Sequence, residues 1–167
     1  RLHLNDKIQE IVPLQKTRSH PNFNGHTLPN KHRWTNRYYE LEVQTFSAKT
    51  SETTVQFLEE NNQHNPFFLW VDFFDPHEPW DPPEYMVRRY DPHYDGPPML
   101  HPNYGPSSAY TEAELRNLWA HYAAESELVD RHIGRVLQKI DDLQLWENSV
   151  VVVMADHGIS IGEHYRT

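Results

Sequence analysis

Ser149-Val150-Val151-Val152-Val153-Met154-Ala155-Asp156-His157-Gly158 is the stretch on which the fold turns. Four consecutive valines are stiff at χ1 and favour extended backbone. A short apolar run without polar alternation predicts a strand covered on both faces, ended by the Asp-His-Gly turn. Just upstream, Gln144–Asn148 reads as a short turn. Before it, Leu115, Leu118, Trp119, Tyr122, Val129, Ile133, Val136, Leu137 and Ile140 recur at three- and four-residue steps. That period predicts an amphipathic helix to about Leu143, with Ser126 as the place for a break. Thr111-Glu112-Ala113-Glu114 is a capping box at its start.

Farther upstream the same grammar repeats. Ser47–Glu60 reads as a helix with an apolar stripe of Ala48, Val55, Phe57 and Leu58. Phe67-Phe68-Leu69-Trp70-Val71-Asp72-Phe73-Phe74 follows Pro66 and predicts a second buried strand. It stops at Asp75-Pro76-His77-Glu78-Pro79-Trp80-Asp81-Pro82-Pro83, where the prolines impose a rigid non-helical loop. Glu84–Tyr110 reads as a long Pro/Tyr/Asp-rich connection, functional or inserted. The order helix, strand, loop, helix, strand, loop predicts an α/β fold with a mainly parallel sheet flanked by helices. One partial domain spans 1–167, loop-rich over 1–46, with the α/β part in 47–167. The chain starts at Arg1 and stops at Thr167, close behind a motif, so it is read as an internal piece of a longer protein. The valine strand is then expected to keep unpaired edges or uncovered faces unless a partner covers them.

Composition narrows the function. The 167 residues are 37% hydrophobic and 13% aromatic, which suits pockets as well as cores. A formal charge of −9 argues against nucleic acid as a partner. Twelve His make that charge depend on pH. With no Cys, a disulfide framework, thiolate catalysis and Cys-ligated zinc are excluded for this segment. No apolar run reaches the ~18 residues of a membrane span.

Ligands of open α/β sheets bind beyond the carboxyl ends of the strands. If the strands are parallel, Asp75, His77 and Glu78 face the same cleft as Asp156 and His157. Asp156 and His157 join a carboxylate oxygen to an imidazole nitrogen, both able to bind a divalent cation. A plain turn, with Asp156 bonding its own backbone, fits the dipeptide equally. His77 between two prolines suits a proton donor or an anion contact, while an exposed loop histidine accounts for it by spacing alone. Asp75 and Glu78 are read as solvated or turn residues, with metal-ligand or acid–base roles as the alternative. His20, His26, His32, His93 and His101 have no ligand-like spacing with carboxylates and receive no role. Phosphate-cradling glycine signatures and the Gly-x-Ser-x-Gly elbow are absent.

Three segments carry a family resemblance: Pro66–Val71 leading into Asp75-Pro76-His77-Glu78-Pro79-Trp80; Tyr122…Asp130…Ile133-Gly134…Leu137; and Val150–Ala155 with Asp156-His157-Gly158…Ile161-Gly162-Glu163-His164. In this order and spacing they resemble the sulfatase family of the alkaline-phosphatase superfamily, over about Thr53 to His164. The resemblance implies sulfate-ester hydrolysis, with Asp156 and His157 as ligands of one divalent metal, calcium first and manganese second. It implies that His77 contacts the sulfate or the leaving-group oxygen. The family nucleophile is a formylglycine made from a Cys or Ser in a Cys/Ser-x-Pro/Ala-x-Arg motif, which this chain lacks. The segment by itself is therefore expected to be inactive, and the substrate to be a small-molecule or carbohydrate sulfate ester. A phosphoester or phosphonate ester hydrolase of the same superfamily, or a non-catalytic form of the fold, is the alternative.

Overall fold

The computed structural model describes residues 32, 36, 39, 41–102 and 104–167. Most of the 1–46 segment, with His20, His26, Trp34 and Tyr38, lies outside them. Three helices are described beyond residue 40: α1 (Phe46–Asn61), α2 (Glu84–Tyr90) and α3 (Glu112–Asp142). Single 3-10 turns punctuate the rest at Glu42–Gln44, Ser107–Ala109, Leu145–Glu147 and Glu163–Tyr165.

The capping box starts α3 as its sequence predicts. Glu114 N–H donates to Thr111 Oγ1 at 3.2 Å, and Thr111 N–H donates to Glu114 Oε2 at 2.8 Å. The helix then runs 31 residues with no break at Ser126. Ala123, Ala124, Glu125 and Glu127 around that serine are good helix formers, and one hydroxyl does not outweigh them. In α1, Thr45 caps the start by accepting from Ala48 N–H. Its buried stripe is Ser47, Ala48, Ser51, Thr54 and Leu58, smaller and more polar than the stripe predicted. Small side chains let α1 lie close to α3, where Ser51 Oγ sits 3.2 Å from His132 Nδ1. The helix α2 falls inside the segment read as a connection. Its Met86 and Val87 are buried against Ala120, Ala124 and Leu128 of α3.

The predicted parallel sheet does not form among the described residues. Residues 67–74 and 149–155 take no regular secondary structure and have no ladder partner among the described residues. The reason is physical: a helix satisfies its own amides, whereas a strand needs a second strand beside it, and none is formed among the described residues. The first still shows a period of two. Leu69, Val71 and Phe73 are half-buried, while Phe68, at 86% exposed, Trp70 and Phe74 point outward. Leu69 joins the core of Leu58, Ile140 and Leu145, and Phe67 meets Phe57 edge-on with centroids 5.8 Å apart. The valine segment is bare instead of buried on both faces, with Val150 92% exposed.

Candidate active site

Trp80 is the anchor of the proline-rich loop. It is fully buried with Met99, Leu118 and Ile161, and Tyr122 lies edge-on at 5.1 Å. Its indole N–H donates to the Pro76 carbonyl at 2.8 Å, and its backbone N–H to the Leu100 carbonyl at 2.7 Å. The Asp75–Pro76 and Glu78–Pro79 bonds are both cis. Ser47 Oγ donates to Asp75 Oδ2 at 2.6 Å, so Asp75 is tied to α1. Glu78 is buried, not solvated as read from the sequence.

His77 is left half open. Its Nδ1 lies 2.7 Å from the Glu78 carbonyl, and its ring stacks on Phe74 with centroids 4.7 Å apart. A carbonyl only accepts, so Nδ1 carries a proton and Nε2 is the atom free for a ligand. In the neutral ring that atom accepts; with a second proton on the ring it can donate to an anionic oxygen or to a departing one.

The Asp156-His157-Gly158 turn uses the same device. His157 Nδ1 donates to the Gly158 carbonyl at 2.9 Å, and His157 N–H donates to Asp156 Oδ1 at 2.9 Å. His157 Nε2 and Asp156 Oδ2 then stand 3.7 Å apart on residues whose side chains are 73% and 90% exposed. The donor set fits a divalent cation: one hard oxygen, and one ring nitrogen whose other nitrogen is committed to a carbonyl. The Gly158 carbonyl, then the Asp156 and Glu78 carboxylates, raise His157 above the ordinary imidazole range. Among the described residues no three His, Asp or Glu groups converge as a metal site, so this pair stands as two ligands of a larger set.

The two turns are brought toward each other without a sheet. Ile159 and Ile161, directly after the Asp-His-Gly turn, belong to the Trp80 cluster. Glu78 is near enough for its charge to act on His157. The segment behind them is tied down by paired bonds between Gly105 and Thr167, each 2.9 Å. Gly162, at φ 103°, makes the turn there, and a Cβ on it would lie 2.9 Å from Leu115 Cδ2.

Residues given no role by spacing prove to hold the site. The buried face of α3 carries a polar row through its apolar stripe. Asn117 Oδ1 accepts from Met99 N–H at 3.0 Å, and His121 Nδ1 sits 3.1 Å from the Trp80 carbonyl. Glu125 bonds the Asp81 backbone. Burial, then the Asp75 and Asp81 charges, push Glu125 well above the usual carboxylate range, and its Oε2 has no hydrogen-bond partner among the described residues. It lines a small cleft with His32, Asp75 and Asp81; burial lowers His32, against the charge of Asp75. Polar residues at i, i+4 and i+8 inside an apolar stripe were the available signal. His93 stays exposed, whereas His101 is half-buried and lowered chiefly by burial.

A family model described as Sulfatase matches residues 6–167. Iduronate 2-sulfatase of Homo sapiens is 28% identical over 146 residues, 70% of this chain and 26% of its own. The multifunctional alkaline phosphatase superfamily protein PehA of Trinickia caryophylli is 23% identical over 127 residues, 60% of this chain and 25% of its own. An arylsulfatase of Clostridium perfringens is 25% identical over 124 residues, 66% of this chain and 26% of its own. The chain thus spans about a quarter of the length of these curated relatives. No helix among the described residues is long and apolar enough to cross a membrane.

Proposed function

This chain belongs to the sulfatase family, and from that premise we propose that the complete protein hydrolyses sulfate esters, with this segment supplying the leaving-group side of the site. The observation that carries the reading is the shared arrangement of His77 and His157, each with Nδ1 bound to the next carbonyl and Nε2 free. Hydrolysis forms a bond from the nucleophile to sulfur as the S–O bond breaks, and the departing oxygen takes the proton that the doubly protonated ring of His77 carries at Nε2. Asp156 and His157 would hold a divalent cation, calcium first and manganese second, which stabilises negative charge on the sulfate as a Lewis acid. The formylglycine nucleophile of the family comes from residues other than these, since the chain has no Cys and no Ser in a Ser-x-Pro/Ala-x-Arg motif. The extended segments 67–74 and 149–155 join a mainly parallel sheet with the rest of the protein, which covers the aromatics and valines left bare here. Aromatic and histidine-rich loops suit a carbohydrate sulfate as substrate.

The complete protein tests this. Asp156→Ala and His157→Ala are expected to lose bound metal and activity together, read by metal analysis and by turnover of aryl sulfates beside aryl phosphates. Unchanged metal content would remove the metal assignment, and turnover of phosphate esters alone would replace sulfate by phosphate. His77→Ala is expected to lower kcat by ~10²–10⁴, less for a nitrophenyl leaving group, which needs little help from an acid.

A further inference from the structure

His101 has no carboxylate partner by spacing, yet the fold sets its Nε2 4.0 Å from Glu78 Oε1. The other oxygen, Oε2, lies 3.6 Å from His77 Nδ1. One carboxylate therefore stands between two imidazoles. Its side chain is only 11% exposed, while that of His77 is 51% exposed. The buried partner can thus fix the open one.

His101 is itself held from several directions. Met99 N–H is bound by Asn117 of α3, and the Leu100 carbonyl by Trp80. The ring donates Nδ1–H to the Pro102 carbonyl at 2.6 Å and meets Tyr104 edge-on with centroids 5.5 Å apart. These contacts turn Nε2 toward Glu78; with Nδ1 committed to Pro102, that atom carries a hydrogen for the carboxylate only when the ring holds a second proton, which burial opposes and the Glu78 charge favours.

We infer that His101 and Glu78 are positioning residues for His77: His101 confines the Glu78 carboxylate, and the carboxylate keeps the His77 ring in the one orientation that offers Nε2 to the departing oxygen. Rotating the ring by half a turn would take Nδ1–H away from both the Glu78 carbonyl and its carboxylate, and would set a carbon-bound hydrogen in their place. Two acceptors on one side of the ring make that rotation costly. This inference rests on the reading of His77 as the leaving-group donor.

The test uses the complete protein with Glu78→Gln, Glu78→Ala, His101→Ala and His101→Gln, the last keeping a polar hydrogen near the place of Nε2. For sulfate esters with poor leaving groups, Glu78→Ala and His101→Ala are expected to lower kcat about 10-fold with KM unchanged. The loss should shrink for nitrophenyl sulfate, and His101→Gln should recover part of it. In a His77→Ala background neither change should cost anything more, because residues acting through one group are not additive. Losses that add to His77→Ala, or that are equal for all leaving groups, would overturn the inference. Ring-nitrogen NMR of His77 decides independently of turnover. At a pH where the ring is neutral, one Nδ1–H tautomer, with Nε2 open to take up the proton it later gives, is expected in the parent, and a mixture in Glu78→Gln and Glu78→Ala. An unchanged tautomer in both variants would overturn the positioning role even if sulfate esters are hydrolysed. If no sulfate ester is hydrolysed but the tautomer shifts, the positioning stands and the proposed reaction falls.

Discussion

The loop 75–80 is clamped by residues far away in sequence, whereas among the described residues the side chains of the 156–158 turn bond within the turn. Ser47 holds Asp75, Leu100 holds Trp80 and His121 lies against the Trp80 carbonyl. Asp156 and His157 bond the next amide and the next carbonyl. The contrast matches the tasks proposed for them. A proton donor must be aimed at one oxygen, and only packing aims a ring. Two exposed ligands can be drawn into place by the cation they share, since its charge is the largest force nearby.

Removing the clamp should have the largest effect. Trp80→Ala is expected to cost ~3–5 kcal/mol in denaturant unfolding, the usual range for a buried aromatic. A loss below ~1 kcal/mol would show that the loop holds without its anchor. The charge crowding behind the loop offers a subtler break. Glu125 holds its proton more tightly in the folded state, its pKa pushed well above the ordinary range, so between the two only the unfolded chain gives up the proton. Stability contributed by this group is therefore present in acid and lost as pH rises. Glu125→Gln cannot ionise and should be more stable than the parent at neutral pH, with the gain vanishing below the ordinary glutamate range. Unfolding curves at the two pH values check it, and a gain that persists in acid would mean that ionisation is not the cause. The smallest effect is expected at the other turn. Asp156→Ala should leave the unfolding midpoint unchanged, because its bonds are local and solvent-exposed. A clear drop would show that this turn is clamped too.

Much of this was legible because it is local. The capping box at Thr111, the period of α3 and the helix over 47–60 depend on neighbours within four residues, and they form where expected. The proline-rich loop and the Asp-His-Gly turn also stand at the ends of the segments that announced them. The short helix α2 was hidden by its setting. Prolines on both sides and seven residues of length leave too little periodicity to read, and Met86 and Val87 make sense only against α3.

By itself the sequence determined where the long helices start and stop and which family the motifs resemble, and it singled out the residues proposed to bear chemistry. Only the tertiary structure decided that Glu78 is buried between His77 and His101. It alone decided that the polar row of α3 serves the loops, and that the two apolar segments find no ladder partner among the described residues. Helix amides, caps and ring-to-carbonyl bonds close over a few residues, so adjacent letters specify them. A strand's hydrogen bonds and a buried side chain's partners close across long loops, and no local pattern says which distant residue will arrive.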